Sequence, residues 1–214
     1  MANRIWPKEG LGAEEAQQRL RDSYMDFIER FSARVKARPV QDIMEVGCSV
    51  GTSTRYLARR FPEASITGAD LSPHFLAVAK FLEEERLEDG TQQRPIRWLH
   101  CNAEQTGLEA ESFDLITLPF ILHELPDGAI TKVLAEAHRL LRPQGMVCVT
   151  EIDPTSPVIQ GLPPPLFTMM KATEPHSDKY YVYDLEGGMR DVGFASVTKE
   201  CTDPRHSSWV GFKG

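Results

Sequence analysis

Apolar residues follow two periods along the chain, one typical of strands and one typical of helices. Short, mostly apolar runs predict buried strands at 40–46, 64–71, 95–101, 112–120 and 145–153. Between them, apolar residues recur every three or four positions, as in an amphipathic helix, and the clearest series is Ile130, Val133, Leu134, Ala137 and Leu141. This alternation predicts a mostly parallel sheet with helices on both faces.

Both ends of the chain depart from the alternation. Residues from about 13 to 37 carry helical periodicity and many charges, and they predict a helix before the first strand. At the other end, 194–201 and 205–212 predict two antiparallel strands joined by a turn. The predicted fold class is therefore α/β, a doubly wound, seven-stranded, mostly parallel sheet with a C-terminal antiparallel hairpin.

Proline interrupts the pattern after the fifth strand. The segment 154–182 is proline-rich, with a short helical stretch at 166–171. An insertion between a strand and a helix often covers a binding site, so we expect it to act as a lid. We divide the chain into an N-terminal helical segment, 1–38, and one domain, 39–214.

Local signals place several helix starts. Thr52 or Ser53 is predicted to cap the helix after the first strand, and Ser72, which precedes a proline, to cap the next. Asp127 is predicted to cap the helix that begins near Ile130. The acidic run Glu83–Glu85 is expected to form a solvated helix face.

Composition narrows the class of protein. The chain has 214 residues, 24 Lys and Arg, 31 Asp and Glu, and a net charge of −7. That balance argues against general affinity for nucleic acid, and the absence of a long apolar run predicts no membrane span. With no secretory pattern at the start, we expect a cytoplasmic protein, or a plastid protein if a transit peptide has been removed. The four cysteines lie far apart and form no CxxC pair, so we expect no zinc or other metal site.

The turn after the first strand reads Glu45-Val46-Gly47-Cys48-Ser49-Val50-Gly51. Glycines in such a turn permit a close approach of the backbone to a ligand and bring N–H groups toward it. Ser49 stands where a third glycine is common. If its φ is positive, we expect strain of about 1 kcal/mol, which would weaken ligand binding by up to about tenfold.

Polar residues follow two further strands. Asp70 ends the second strand, where a carboxylate can accept hydrogen bonds from both ribose hydroxyls; the alternative is a cap for the helix near Ser72. Asn102-Ala103-Glu104 follows the third strand and is expected beside an adenine, unless it is a simple turn. Pro119 and Phe120 leave the fourth strand at the switch point of the sheet, where ligands bind in open α/β folds.

Together these segments resemble the class I S-adenosylmethionine-dependent methyltransferases, in their small-molecule branch. Residues 45–51 match the family's E-x-G-C-G-x-G turn, "GADLSP" its acidic second motif, and "CNAE" its D-A-E adenine segment. "SFDLITLPFILHELPD" and "EAHRLLRPQGMVCVTE" are similar to the motifs that follow. The resemblance covers roughly 40–153 and, less closely, the terminal hairpin. Ser49 and Asn102 depart from it.

The resemblance implies a Rossmann-like fold, S-adenosylmethionine as cofactor and S-adenosylhomocysteine as product. The cofactor-binding residues implied are Glu45, Gly47, Cys48, Ser49, Gly51, Asp70, Leu71, Asn102, Ala103, Glu104, Pro119 and Phe120. A dinucleotide is disfavoured, since the G-x-G-x-x-G pattern would need glycine at 49 and 52. Glu45 would also repel phosphates, whereas it would attract the ammonium and sulfonium groups of S-adenosylmethionine.

His123 is the candidate general base, because imidazole titrates near neutrality and this residue follows the fourth strand. The alternative is that it only shapes the turn. His176, Tyr180, Tyr181 and Tyr183 could line an acceptor pocket or simply pack the insertion onto the core. The leading hypothesis is a methyltransferase that acts on O, C or N of a small molecule. The alternatives are a protein or RNA methyltransferase, and a protein that binds S-adenosylmethionine without catalysis. The sequence leaves the oligomeric state open.

Overall fold

A seven-stranded sheet forms the centre of the protein, for which the computed structural model describes residues 13–35, 39–88, 90, 94–126 and 128–214. The strand order is β3-β2-β1-β4-β5-β7-β6. Strands β1 to β5 pair in parallel, β7 pairs antiparallel with β5, and β6 pairs antiparallel with β7. The strands are β1 Asp42–Val46, β2 Ser65–Asp70, β3 Arg97–His100, β4 Phe113–Pro119, β5 Leu141–Ile152, β6 Phe194–Asp203 and β7 His206–Lys213. The predicted fold class is confirmed.

Helices connect the strands and cover the sheet. They are α1 Ala13–Ser32, α2 Thr52–Arg60, α3 Pro73–Glu88, α4 Ala129–Leu140, α5 Pro157–Gln160, α6 Pro164–Thr173, α7 Ser177–Tyr181 and α8 Leu185–Asp191. A single 3-10 turn, Leu122–Glu124, follows β4. None of the helices in the described ranges combines the length and the apolar character needed to cross a membrane.

Two apolar layers hold the helices against the sheet. On one face, Tyr24, Phe27 and Phe31 of α1 are buried in a cluster with Ile43 and Leu115 of the strands. Full burial of each such side chain contributes about 1.5–3 kcal/mol. On the other face, Ile130, Val133, Leu134 and Ala137 of α4 are buried against β4 and β5 as predicted, whereas Leu141, the last residue of that predicted series, begins β5. Helix α1 therefore packs on the same sheet that carries the motifs.

The helix starts only partly agree with the sequence. Ser72 does cap α3, because its Oγ accepts a hydrogen bond from the Phe75 N–H at 3.3 Å. The prediction for α2 was wrong: Thr52 is already helical, and Gly51 occupies the N-cap position with φ of 76°. That left-handed backbone favours glycine over a capping side chain. The predicted cap Asp127 lies outside the described residues.

Glu83 contradicts the expected solvated face. It is 5% exposed, and its carboxylate accepts hydrogen bonds from the Ile96 N–H and the Trp98 Nε1–H, both at 2.5 Å. Helix α3 is thereby tied to β3. A run of three glutamates gives no sign of this, because the donors come from a strand that folding brings alongside.

Candidate active site

A cleft of about 850 Å³ opens at the carboxyl ends of the parallel strands. Its volume lies within the ~300–1,000 Å³ typical of ligand sites. Eleven of the twelve residues predicted to bind the cofactor line it: Glu45, Gly47, Cys48, Ser49, Asp70, Leu71, Asn102, Ala103, Glu104, Pro119 and Phe120. Gly51 does not line the cleft, and neither does His123. The fold thus gathers at one edge residues that four separate segments contribute.

The glycine turn uses its own N–H groups. Those of Gly47 and Cys48 donate to the Ala69 carbonyl at 2.8 and 3.0 Å, and that of Gly51 donates to the Cys48 carbonyl at 2.8 Å. The Ser49 N–H donates to the Asp70 Oδ2 at 2.8 Å. The expectation that these groups point toward a ligand was therefore wrong. The N–H groups of these residues are already used within the protein. The glycine at position 47 instead permits close packing, because a Cβ built on it would lie 2.4 Å from the Ile121 Cδ1.

Two residues of the cleft have strained backbones. Ser49 has φ of 49° and Phe120 has φ of 58°, so both occupy the left-handed region that side chains disfavour. The ring of Phe120 makes edge contacts with Tyr24 and His206, with centroids 6.0 and 5.3 Å apart. The sequence left the sign of φ at Ser49 open, and the structure selects the strained alternative.

Asp70 fastens the turn to the start of α3. While Oδ2 accepts the Ser49 N–H, Oδ1 accepts the Ser72 N–H at 2.8 Å. The side chain also lines the cleft. Each carboxylate oxygen has a second acceptor site, so these internal bonds are compatible with further bonds to hydroxyl groups of a ligand.

The segment after β3 is ordered by its own side chains. The Asn102 Oδ1 accepts the Glu104 N–H at 2.9 Å, and the Glu104 carboxylate pairs with the Lys132 Nζ at 2.8 Å. Asn102 therefore does form the simple turn that was weighed against adenine contact. Both residues still line the cleft.

Two ionisable residues of the cleft each have a buried atom without a hydrogen-bond partner in the described part of the chain. Glu45 is 1% exposed; its Oε1 accepts a hydrogen bond from the Thr54 hydroxyl at 3.0 Å, and its Oε2 has no partner in the described part of the chain. Burial raises the pKa of Glu45 to about 8, although Thr54 and the charges of Arg21 and Arg55 oppose this. Arg21 of α1 also lines the cleft, and its buried Nε has no partner within the described ranges.

His123 lies behind the cleft wall, 8% exposed. Its Nδ1 is 2.7 Å from the Glu151 Oε2, and the other oxygen of Glu151 accepts the Leu122 N–H at 2.6 Å. The Nε2 is left facing the Glu174 carboxylate at 3.9 Å. Burial disfavours the charged imidazole, but the bond to Glu151 and the charges of Glu151, Glu174 and Glu124 outweigh it and raise the pKa of His123.

Glu124 and Glu174 bring negative charge to the free side of this imidazole. One oxygen of each and a ring nitrogen of His123 lie within 4.8 Å of one another. The two carboxylates can surround a positive charge, and the protonated imidazole of His123 is such a charge. Glu124 also lines the cleft, so the imidazole and the cleft share this acidic boundary.

The tyrosines in the insertion and directly after it contact other parts of the protein. Tyr180 is 3% exposed and its hydroxyl donates to the Ile152 carbonyl at 2.8 Å, which is a packing role. Tyr183 contacts the Thr131 hydroxyl at 3.1 Å, and Tyr181 stacks on Phe167 at 6.1 Å. Helices α5, α6 and α7 form the segment predicted as a lid.

Sequence reasoning missed Arg21 and Glu151. Arg21 gave no signal, because it is one of many charges on a helix assigned to a separate segment. Glu151 could have been found, since it ends β5 next to β4, and parallel strands bring their carboxyl ends to one edge.

The comparisons with known proteins agree with this geometry. Residues 43–145 match a family model described as a methyltransferase domain. A demethylmenaquinone methyltransferase of Staphylococcus aureus is 32% identical over 121 residues, which are 56% of this chain and 46% of that protein. The chain therefore spans about half the length of the curated relatives that it matches.

Solved structures share the fold. A putative O-methyltransferase from Nostoc punctiforme superposes with a TM-score of 0.68 and 21% identity, over 94% of this chain and 58% of that one. Phosphoethanolamine N-methyltransferase 2 of Haemonchus contortus, solved with S-adenosyl-L-methionine, gives 0.66 and 18%, over 90% and 52%. Most of the motif residues identified in the sequence lie within the matched segment 43–145, and they follow the strands in the order that the sheet shows. Residues 43–145 therefore match a methyltransferase domain in sequence, and the chain shares its fold with solved S-adenosylmethionine-dependent methyltransferases.

Proposed function

We propose that this protein transfers the methyl group of S-adenosylmethionine to an O, C or N atom of a small-molecule acceptor. The observation that carries the proposal is the pair of unpartnered atoms, Glu45 Oε2 and Arg21 Nε, in one cleft. When Glu45 is ionised the two groups have opposite charges, and the amino acid end of S-adenosylmethionine carries an ammonium and a carboxylate. A buried polar atom without a partner costs about 1–3 kcal/mol, which a ligand of matching charge would recover.

The rest of the cleft fits the same cofactor. Burial raises the pKa of Glu45 to about 8, and a cation bound beside it would lower that pKa and favour the ionised carboxylate. Asp70 has acceptor capacity left for a ribose, and Ile121 packs directly against Gly47, so the turn has no space for a side chain at that position. We propose that the twelve residues predicted from the sequence hold the cofactor, with Arg21 as an addition and with Gly51 acting through the turn.

When bound, S-adenosylmethionine supplies a methyl carbon on a sulfonium, which a nucleophile displaces in line. The chain must align that nucleophile and exclude water, and good alignment alone is worth several kcal/mol. Where the acceptor has to lose a proton, His123 is the proposed base. Glu151 holds the Nδ1 side of the ring, so the Nε2 is the atom that accepts the proton.

A small acceptor is favoured over a macromolecule by charge and by size. The net charge of −7 and the acidic boundary formed by Glu124 and Glu174 disfavour an RNA phosphate backbone. The cleft has the volume of a small-molecule site, and the matched relative is named for a quinone-type acceptor. We propose that the insertion at 154–182 closes over that acceptor.

The first experiment measures S-adenosylhomocysteine binding by calorimetry. Arg21→Gln is expected to weaken binding at least tenfold, because a charge-assisted bond to the ligand carboxylate is lost. Arg19→Gln is the matched control: the same helix carries it, it pairs with Glu15 at the surface, and binding should not change. Equal affinity of Arg21→Gln and the wild type would remove Arg21 from the site. No binding to the wild type would reject the proposed function.

The second experiment screens phenols, acids, quinols and amines with labelled S-adenosylmethionine and identifies the product. With a productive acceptor, His123→Ala should lose turnover while keeping cofactor affinity, and the exposed His74→Ala should keep both. Unchanged turnover of His123→Ala would leave alignment as the whole mechanism. Cofactor binding without turnover across the screen would favour a non-catalytic binding protein.

A further inference from the structure

A second cavity lies away from the cleft, between α2, α3 and the first residues of β2 and β3. Its volume is about 230 Å³, below the ~300–1,000 Å³ of most ligand sites, so only a small molecule fits. Four arginines line it: Arg55, Arg59, Arg86 and Arg94. In a chain of net charge −7, such a concentration of positive charge is distinctive.

Arg55 is the buried member of the group. It is 7% exposed, and its Nη1 has no hydrogen-bond partner among the described residues. Burial, and then the nearby charge of Arg86, lower its pKa. A buried guanidinium N–H group without a hydrogen bond is costly, and an anion would offer it both an acceptor and an opposite charge.

Two carboxylates lie near the cavity and offset part of its positive charge. Glu63 pairs with Arg94 at 2.9 Å, at the surface. Glu83 accepts hydrogen bonds from the Ile96 N–H and the Trp98 Nε1–H, and its charge also acts on Arg55. No acidic residue is among the described residues that line the cavity. Arg59 is exposed at its rim, where its guanidinium lies 4.2 Å from the ring centroid of Tyr56.

The remaining walls are apolar and come from Ala58, Pro62, Ala64, Ile66, Pro95 and Ile96. A cavity with guanidinium groups and apolar walls suits a ligand with one anionic group and a small apolar body. We propose that this cavity binds a small organic phosphate or carboxylate. The proposal is independent of the methyltransferase function, because it uses none of the residues of the cleft.

The location gives the site a link to the cofactor turn. The Arg55 N–H donates to the Gly51 carbonyl at 3.1 Å, and its Nη1 lies 3.0 Å from where a Cβ on Gly51 would stand. Trp98 packs against the same glycine. Occupation of the cavity should therefore change the fluorescence of Trp98, which gives a local signal for binding.

The test titrates phenyl phosphate into the full chain with and without excess S-adenosylhomocysteine, so that binding in the cleft and binding in the cavity are distinguished. Calorimetry and tryptophan fluorescence should both report one site. Inorganic phosphate should bind more weakly, because it lacks the apolar body. Benzyl alcohol should not bind, because it lacks the anionic group. Added salt should weaken phenyl phosphate binding, as expected for a charge-based contact.

Two variants decide the assignment. Arg55→Gln and Arg59→Gln should each weaken phenyl phosphate binding at least tenfold, whereas Arg190→Gln, on the surface of α8, should not change it. Arg59 is exposed, so its variant remains informative if Arg55→Gln does not fold. Absence of binding at millimolar phenyl phosphate, or equal binding by Arg59→Gln and the wild type, would overturn the proposal. Equal affinity for inorganic phosphate and phenyl phosphate would overturn the proposed contact between the apolar walls and the ligand.

Discussion

Replacing Ser49 with glycine tests whether the backbone strain at this residue lowers the stability of the fold or the affinity for the ligand. The φ of 49° at this residue costs a serine about 1–2 kcal/mol relative to glycine. Glycine gains flexibility in the unfolded chain, which offsets about 0.5–1 kcal/mol of that relief. We therefore expect Ser49→Gly to raise the free energy of unfolding by about 0.5–1 kcal/mol, or the melting temperature by about 1–4 °C for a chain of this size.

The same geometry predicts the effect on binding. The Ser49 N–H bond to Asp70 and the Cys48 bond to Ala69 hold the turn in its left-handed conformation. Because the protein's own bonds maintain the strain, relief should appear in folding and hardly in affinity. The tenfold effect on binding expected from the sequence should shrink to less than about threefold, below 0.7 kcal/mol.

The assay combines urea denaturation with calorimetric titration of S-adenosylhomocysteine. Gln144→Gly is the matched control, since Gln144 has φ of 65° within β5 and does not line the cleft. It should give a similar gain in stability and no change in affinity. A Ser49→Gly protein that is less stable than the wild type, or that binds tenfold more tightly, would refute this account of the turn.

Three further predictions concern Glu45 and Gly47 of the cleft and His123 behind its wall. Since the pKa of Glu45 is raised from 4.5 to about 8, the folded state holds an extra proton between these values, so stability should fall as pH rises from 5 to 8; in Glu45→Gln, denaturation at several pH values should show that fall reduced. Because the pKa of His123 is raised above 6.5, turnover that uses it as a base should increase with pH through a midpoint above 6.5, and Glu151→Gln should shift this midpoint downward in a pH–rate profile. Gly47→Ala places a Cβ 2.4 Å from the Ile121 Cδ1 at a φ of 71°, so it should cost about 1–3 kcal/mol of stability by urea denaturation and weaken S-adenosylhomocysteine binding.

Each of these has an outcome that contradicts it. Identical pH dependence of stability in Glu45→Gln and the wild type would mean that Glu45 is ionised in the folded protein. A pH–rate midpoint that stays in place in Glu151→Gln would separate Glu151 from the imidazole. Full stability of Gly47→Ala would show that the Ile121 side chain moves aside and that the turn tolerates a Cβ.

The sequence by itself determined the sheet, its order of elements and the segments that meet at its edge. Strand and helix periods are local properties, and the carboxyl ends of parallel strands converge whatever the loops do. Glu45, Asp70 and Asn102 could therefore be assigned to one cleft before any coordinates were known. The Ser72 cap was equally readable, because a cap depends on neighbours three residues away.

Only the tertiary structure decided which polar groups have partners. The positive φ of Ser49, the burial of Glu83 and the pairing of His123 with Glu151 all depend on atoms that are distant in sequence. Arg21 reaches the cleft only because α1 packs on the sheet. Hydrogen bonds and burial are set by distances of a few ångströms between such segments, and no local pattern of residues encodes them.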